Sequence, residues 1–380
     1  MKIMWITSRH PPKSGGLAQS SGRIVNSLRD RGHAVTVLHL SRGMSPYDPA
    51  TQGMVIVPDA KSLAEPERLF WICQNVLKDS VLIGFGGNQA GYYAALWAGW
   101  LGQKSMVLFR GNDFEKLVHD PKQSWMVHFI LHHAGAVGAV SREMARRIRT
   151  MTRKPVVFTP NSIDPEAWGF LTQDWEKAQM WRKEHLAKDK PVIAMIGELK
   201  SKKGLDAALK LFTSFGFRER AVLLTVGAVP EHLLEYRDKS CGDFWIHVPY
   251  QKREELPVFY ALSDIILMPH LYDGMPNVLL EAMALGRIVA ASLAGAMPDV
   301  IQDGVNGFLF NRFDLSDMAR VLDKVLNLTQ AQRKQISNAA KERISECFQP
   351  KHEVSRIVQA ISDVGASPGS PDSPGDKSPG

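Results

Sequence analysis

The stretch IILMPHLYDGMPNVLLEAMALGRIVAAS, Ile265–Ser292, reads as strand, turn, helix and strand in succession. IILMPH is a short apolar run suited to a buried strand. Gly274 permits a tight turn, Pro276 suits a first helical position, and Gly286 suits the residue just past a helix end. The pattern predicts a helix over about Asn277–Leu285, with IVAAS as the next strand. One such unit is the repeat of a parallel α/β sheet, so the fold turns on whether its neighbours repeat it.

They do, in both directions. Upstream, KIMWIT, AVTVLHL, VLIGF, SMVLF, AGAVGAV and PVVFTP are strand-like and alternate with helical patterns, among them Leu17–Arg31 and the helix around QSWMVHFILHHAG. The rhythm breaks at Asp164–Lys190, which is polar, aromatic and helically patterned in its charges. It resumes with PVIAMIG, AVLLTVG, FWIHVPY, IILMPH, IVAAS and GFLF. The expected fold class is therefore α/β, with two Rossmann-like doubly wound domains facing each other across a cleft. The first domain spans residues 1–164, an interdomain segment 165–190 and the second domain 191–348. A C-terminal helix is expected over 349–365, with the first domain as one surface it could pack back on. The Pro/Gly/Ser-rich tail over 366–380 has no apolar face and is expected to be disordered.

Bulk properties bound the function. A chain of 380 residues with 44% hydrophobic content is long enough for two cores. No segment has the pattern of a secretory signal, and the longest apolar run, Ala90–Gly102, is too short to span a bilayer. Cys73, Cys241 and Cys347 are far apart, which suits a reducing cytoplasm and argues against disulfides or a zinc cluster. No G-x-G-x-x-G follows the first strand of either domain and no P-loop motif is present, which disfavours a dehydrogenase and a P-loop NTPase. The net charge of +7 is uneven, since residues 1–164 carry +9 and the remainder −2. Its densest stretch, REMARRIRTMTRK at Arg142–Lys154, has two readings: a solvated helix face, or a surface that meets anionic lipid or an anionic acceptor. Nucleic acid is disfavoured because no aromatic residues interleave the basic ones.

The turn at Asp273 carries the chemistry. A helix start with exposed amides and a positive dipole end, aimed at the cleft between two doubly wound domains, is an anion site. The amides from Met275 to Leu279 are expected to face the cleft. Glu281, one turn further on, cannot bind phosphate but can accept hydrogen bonds from a vicinal diol such as a ribose. Asp273 precedes the turn, on the side of whatever a diphosphate carries. Taken alone, an acid beside a helix start has a plainer reading as a partner for the dipole.

In order along the chain, these residues resemble the retaining glycosyltransferases of family 4, which have the GT-B fold. Asp273 to Glu281 is similar to the family's paired-acid signature. Flanking it are Tyr260–Asn277 and GRIVAASLAGAMPDVIQDGVNGFLF at Gly286–Phe310. KSGGLAQ at Lys13–Gln19 resembles the first Gly-rich loop, AVSREM at Ala139–Met144 the serine-containing strand end, and TPNSID at Thr159–Asp164 the hinge. The resemblance implies a metal-independent enzyme that moves a hexosyl unit from a UDP- or GDP-linked sugar to an acceptor hydroxyl. The acceptor would be a glycan, a lipid-linked saccharide or a small metabolite, with no further cofactor. The cysteine usage points to the cytoplasm, and the basic first half to peripheral work at an anionic inner membrane face. A nucleotide-sugar epimerase and a non-catalytic nucleotide-sugar-binding protein are the alternatives.

Carried over by position, the resemblance implies that Glu281 reads the ribose and Asp273 the donor sugar. Gly274, Met275, Pro276, Asn277, Val278 and Leu279 form the phosphate turn. In GELKSKKG, Gly197–Gly204, Gly197 opens the loop and Lys203 neutralises the leaving diphosphate. Gly15 and Gly16 admit the phosphate from the first domain, and Tyr250 frames the base. Two departures stand out. Glu198 replaces the usual arginine and is expected to turn away, with Lys200 supplying the charge. Arg110, in FRGND, stands where relatives often carry a histidine and is read as binding acceptor or phosphate, because an arginine is no base at neutral pH. Asn112, Asp113, His119, Ser141 and Asn161 are assigned to the acceptor side. The i, i+4 pair His128 and His132 has metal-ligand spacing but lacks a nearby acid, so these are read as core or cleft histidines and no metal site is expected. Gly86-Gly87-Asn88 is either a backbone approach to ligand or an ordinary turn, and the ALWAGW helix is read as buried.

Overall fold

The computed structural model describes residues 1–13, 15–41, 54–58, 65–186, 190–240 and 244–364. The tail over 366–380, Cys241 and Ser14 lie outside these. The first sheet holds β1 (Lys2–Thr7), β2 (Ala34–Ser41), β3 (Met54–Pro58), β4 (Val81–Phe85), β5 (Ser105–Phe109), β6 (Ala136–Ala139) and β7 (Val156–Phe158), in the order β3-β2-β1-β4-β5-β6-β7. The second holds β8 (Val192–Ile196), β9 (Val222–Val226), β10 (Trp245–Val248), β11 (Ile265–Met268), β12 (Ile288–Ser292) and β13 (Phe308–Phe310), in the order β10-β9-β8-β11-β12-β13. Every paired strand is parallel. The sequence reading has no strand between β2 and β4. β3 fills that place as an edge strand ending at Pro58, which removes a donor from the ladder where an edge can spare one.

The strand order reverses between β1 and β4 in one sheet and between β8 and β11 in the other. Ligands bind at the carboxyl ends of the strands at such switch points. The loops that leave β1, β5, β8 and β11 there meet across the cleft. Strands β1, β4, β5, β8, β11 and β12 are buried almost throughout, as expected of sheets covered by helices on both faces.

The last helix, Pro350–Asp363, returns to the first sheet. Val354, Ile357 and Ile361 pack among Ile3, Trp5, Ile24 and Val25. Each fully buried aliphatic side chain there contributes roughly 1.5–3 kcal/mol. Lys104 Nζ donates to the Ile361 and Ser362 carbonyls, placing a cation at the helix C-terminus. The basic stretch forms the helix Arg142–Arg149, which buries Met144, Ala145 and Ile148 and pairs Arg147 with Glu115. Among the described residues no helix is long and apolar enough to cross a membrane.

Two readings of the helices need correction. His128 and His132 are neither core nor cleft residues but exposed, because Met126, Val127, Ile130 and Leu131 take the inward positions of the helix Ser124–His133. Among the described residues no group of His, Cys, Asp and Glu is arranged to hold a metal. In ALWAGW, Trp97 is buried but Trp100 is 48% exposed at the end of its helix.

Candidate active site

The helix predicted after the turn spans Asn277–Ala284, capped by Leu285. Pro276 is its N-cap, one position earlier than expected, with extended backbone at φ −70° and ψ 135°. Neighbouring segments fix the turn by contact. A Cβ on Gly274 would lie 2.3 Å from the Arg110 carbonyl oxygen of the first domain. A Cβ on Gly295 would lie 1.8 Å from the Asp273 carbonyl oxygen. The Ala296 amide donates to the Gly274 carbonyl at 2.9 Å.

A cavity of about 390 Å³ lies between the domains at this turn. Met275, Pro276, Asn277 and Val278 line it, with Gly197, Lys200, Lys202, Lys203 and Asp273 beside them. The first domain contributes Gly16, Ser20, Arg110, Gly111, Asn112, Asp113 and Asn161. Leu279 does not belong to this wall. Its amide donates to the Pro276 carbonyl at 3.2 Å and its side chain is fully buried, so the first helical turn has already consumed the amide. A depression of about 510 Å³ near Arg149 and Lys154 lies away from both switch points.

Asp273 is the electrostatic centre of the second-domain wall. Its carboxylate is ion-paired with Lys203, lies 3.1 Å from His270 Nδ1 and 3.9 Å from Lys202 Nζ, and accepts the Gly274 amide at 2.9 Å. Burial alone would raise its pKa, but the His270 imidazole beside it and the charges of Lys203 and Lys202 hold it far below the usual carboxylate range. Burial pushes the pKa of Lys202 down against the pull of Asp273. Lys202 Nζ also donates to Asn112 Oδ1 across the cleft at 3.3 Å. Glu198 lines the cavity rather than turning away, paired with Lys200 at 3.0 Å on the exposed rim. Lys200 therefore neutralises Glu198 first.

Glu281 is buried beneath the cavity, in the second turn of the helix. Tyr260 Oη donates to its Oε2 at 2.9 Å, and Trp168 Nε1 donates to its main-chain carbonyl at 3.2 Å. Burial raises its pKa, opposed by the Tyr260 hydrogen bond and by Arg253 and Arg23. The two acids of the motif thus sit in opposite environments, Asp273 in the wall and Glu281 behind it.

On the first-domain side, Gly15 takes φ +105° before the helix Gly16–Asp30, and Asn277 Nδ2 donates to the Gly16 carbonyl at 3.4 Å. Arg110 borders the cavity, but its guanidinium is already engaged. It donates to the Thr159 carbonyl at 3.0 Å, to Glu353 at 2.8 Å and to Asn161 Oδ1. Asp113 accepts the Arg110 and Gly87 amides, each at 2.9 Å, and burial raises its pKa. Gly86-Gly87-Asn88 is thereby a strand-to-helix turn, with Asn88 capping the helix Gln89–Leu101. Ser141 is likewise a helix N-cap, accepting the Met144 amide at 3.0 Å outside the cavity wall. His119 and Tyr250 are not among the lining residues either, and Tyr250 is 71% exposed. The sequence reading missed Lys202, His270, Tyr260 and Glu353. Lys202 and His270 lie beside residues it singled out; Tyr260 and Glu353 are brought in by tertiary contact.

Comparison with known proteins places this geometry. Residues 177–343 match the family described as glycosyl transferases group 1, and residues 15–162 the family described as glycosyl transferase 4-like domain. An uncharacterized glycosyltransferase of Methanocaldococcus jannaschii is 22% identical over 383 residues, covering 92% of this chain and 94% of its own. Sucrose-phosphate synthase from Thermosynechococcus elongatus superposes with a TM-score of 0.78 at 15% identity, covering 97% of this chain and 100% of its own. Anabaena HepE in complex with UDP superposes with a TM-score of 0.75 at 16% identity, covering 96% and 100%. These structural likenesses share the GT-B fold.

Proposed function

Because the chain belongs to the group 1 glycosyltransferases, with a 4-like domain ahead of the group 1 domain, we propose that it transfers a sugar from a nucleoside-diphosphate sugar to an acceptor hydroxyl. We propose further that it does so with retention of configuration and without a metal ion. The observation that carries this reading is one cavity bounded by a helix start, Lys203, Asp273 and the glycine-led helix of the facing domain. In this reading the Asn277 and Val278 amides and Lys203 hold the diphosphate. The diphosphate takes Lys203 from Asp273, which frees the carboxylate for the donor sugar. Glu281 accepts from the ribose through the oxygen that Tyr260 does not occupy. HepE has been solved with UDP and with UDP-glucose, which supports uridine donors as the first to try, ahead of GDP-linked ones.

The bond from the anomeric carbon to the phosphate oxygen breaks, and negative charge grows on the leaving nucleoside diphosphate. The helix start and Lys203 stabilise that charge in place, the role a divalent cation plays elsewhere. The acceptor oxygen approaches from the face the phosphate leaves. It forms the new glycosidic bond and its proton passes to the departing phosphate oxygen. Asp273 and Glu281 are not the paired carboxylates of a glycoside hydrolase, because a phosphate turn separates them. The acceptor class proposed is a glycan, a lipid-linked saccharide or a small metabolite.

The test is a panel of UDP- and GDP-sugars with candidate acceptors, scored for released nucleoside diphosphate with and without chelator. Proton NMR of the product gives the anomeric configuration. The expected result is turnover that chelator does not change and a product with the donor's configuration. Inversion would refute the retaining mechanism, and donor binding without turnover on any acceptor would refute the enzyme.

A further inference from the structure

We propose that Arg110 is a positioning residue rather than a substrate ligand. With Glu353 it sets the orientation of the Asn161 amide, which holds the donor turn through the Met275 carbonyl. This rests on the reading of the cleft given above.

The network starts at the C-terminal helix. Glu353 and Arg110 form a salt bridge at 2.8 Å with both side chains 1% exposed. The other carboxylate oxygen of Glu353 accepts Ser162 Oγ at 2.6 Å and Arg23 Nη2 at 3.2 Å. A buried carboxylate with three donors is compensated, and removing one partner is costly. The Arg110 guanidinium also lies 5.5 Å from the Phe85 ring centroid. Of its donors, Nε alone is buried without a partner among the described residues.

Arg110 then acts on Asn161. An asparagine amide has nearly the same shape in its two flipped orientations, so its hydrogen-bond partners choose between them. Arginine is only a donor, and Arg110 Nη2 therefore draws Asn161 Oδ1 toward itself. That turns Asn161 Nδ2 outward, where it donates to the Met275 carbonyl at 2.5 Å. Ser20 Oγ, from the glycine-led helix, adds a longer bond to the same Oδ1 at 3.4 Å. Met275 precedes the N-cap Pro276, so anchoring its carbonyl on Asn161 fixes the start of the helix that follows. Asn161 belongs to the first sheet's side of the cleft and Met275 to the second's. The bond is an interdomain latch, and a residue on the last helix supports it from behind.

The experiment combines Asn161→Ala, Arg110→Lys and the double variant, compared by calorimetric titration with UDP and GDP and by hydrogen-exchange mass spectrometry. Lysine keeps the charge but cannot serve Thr159, Asn161 and Glu353 together. Each single variant is expected to weaken binding of the preferred nucleotide by about tenfold. The double variant is expected to lie within about twofold of either single one, because both break the same link. Exchange should rise at the 271–279 segment equally in all three variants and stay unchanged in the strands of the second sheet, where a general loss of stability would raise it too. Effects that multiply to about a hundredfold would overturn the proposal, since Arg110 would then act independently of Asn161. Unchanged exchange at the turn would overturn it as well. If Arg110→Lys fails to fold, Arg110→Gln with Glu353→Gln removes both charges and keeps the hydrogen-bonding shape, with the same pattern expected. A wild type that binds neither nucleotide refutes the donor reading alone, and the exchange data still decide the latch.

Discussion

Asp273 and Glu281 show how one short motif holds two carboxyls whose pKa values are shifted in opposite directions. Burial favours the neutral form of both. At Asp273 the adjacent His270 imidazole and the charges of Lys203 and Lys202 reverse that preference, whereas at Glu281 burial prevails over Tyr260, Arg253 and Arg23. A carboxyl whose folded-state pKa is raised costs stability in its ionised form. That cost is full above the folded pKa and fades as pH falls toward the unfolded value. Glu281→Gln, which keeps an acceptor for Tyr260, is therefore expected to melt no lower than wild type at pH near 8. Any gain should shrink as the pH approaches the ordinary value of 4.5. The same variant should bind UDP about tenfold more weakly, as expected for a lost hydrogen bond to a charged group. A clear drop in melting temperature at high pH would contradict this assignment. Asp273 carries the opposite sign, its ionised form stabilising at neutral pH and losing that contribution only in acid. The two acids and Lys203 are legible in the sequence as a spaced motif. Their pKa directions are not, because Tyr260 reaches Glu281 from 21 residues upstream and only packing brings the rings and charges to them.

The turn at Gly274 is where element geometry governs the site. Its backbone lies against Arg110 and Gly111 of the facing domain, so a methyl group there meets main chain that cannot give way as a side chain would. Gly274→Ala is expected to cost about 1–3 kcal/mol in the closed arrangement, within the usual range for overpacking. Catalytic efficiency should accordingly fall by roughly tenfold to a hundredfold, by the usual conversion of energy to rate. The melting of each domain should change little, because the contact lies between them. Unaltered kinetics would show that the domains do not close on this turn. The glycine and proline are readable as turn chemistry from sequence, and so is the helix that follows. Two details were not. Leu279 lies one residue too far into the helix to keep a free amide, and β3, though as long as β4 or β5, ends at Pro58, which reads as turn chemistry.

Across the whole molecule, the repeated strand–helix alternation made the two-sheet architecture legible, because period and breaks are local properties of the chain. The coupling of the last helix to the cleft was not legible. Arg110 and Glu353 are 243 residues apart, and nothing near either one points to the other. The same holds for Asn161, which reads as a hinge residue in sequence and acts as a bond between domains in the structure. The central claim is that this cleft is built for a diphosphate held by a helix start and Lys203. It is tested most directly by calorimetric titration of wild type and Lys203→Ala with UDP, UMP, GDP and GMP. The account predicts that wild type binds one diphosphate at least about tenfold more tightly than its monophosphate, and that Lys203→Ala abolishes most of that difference. Equal affinity for mono- and diphosphate, or a preference that survives in Lys203→Ala, would contradict it.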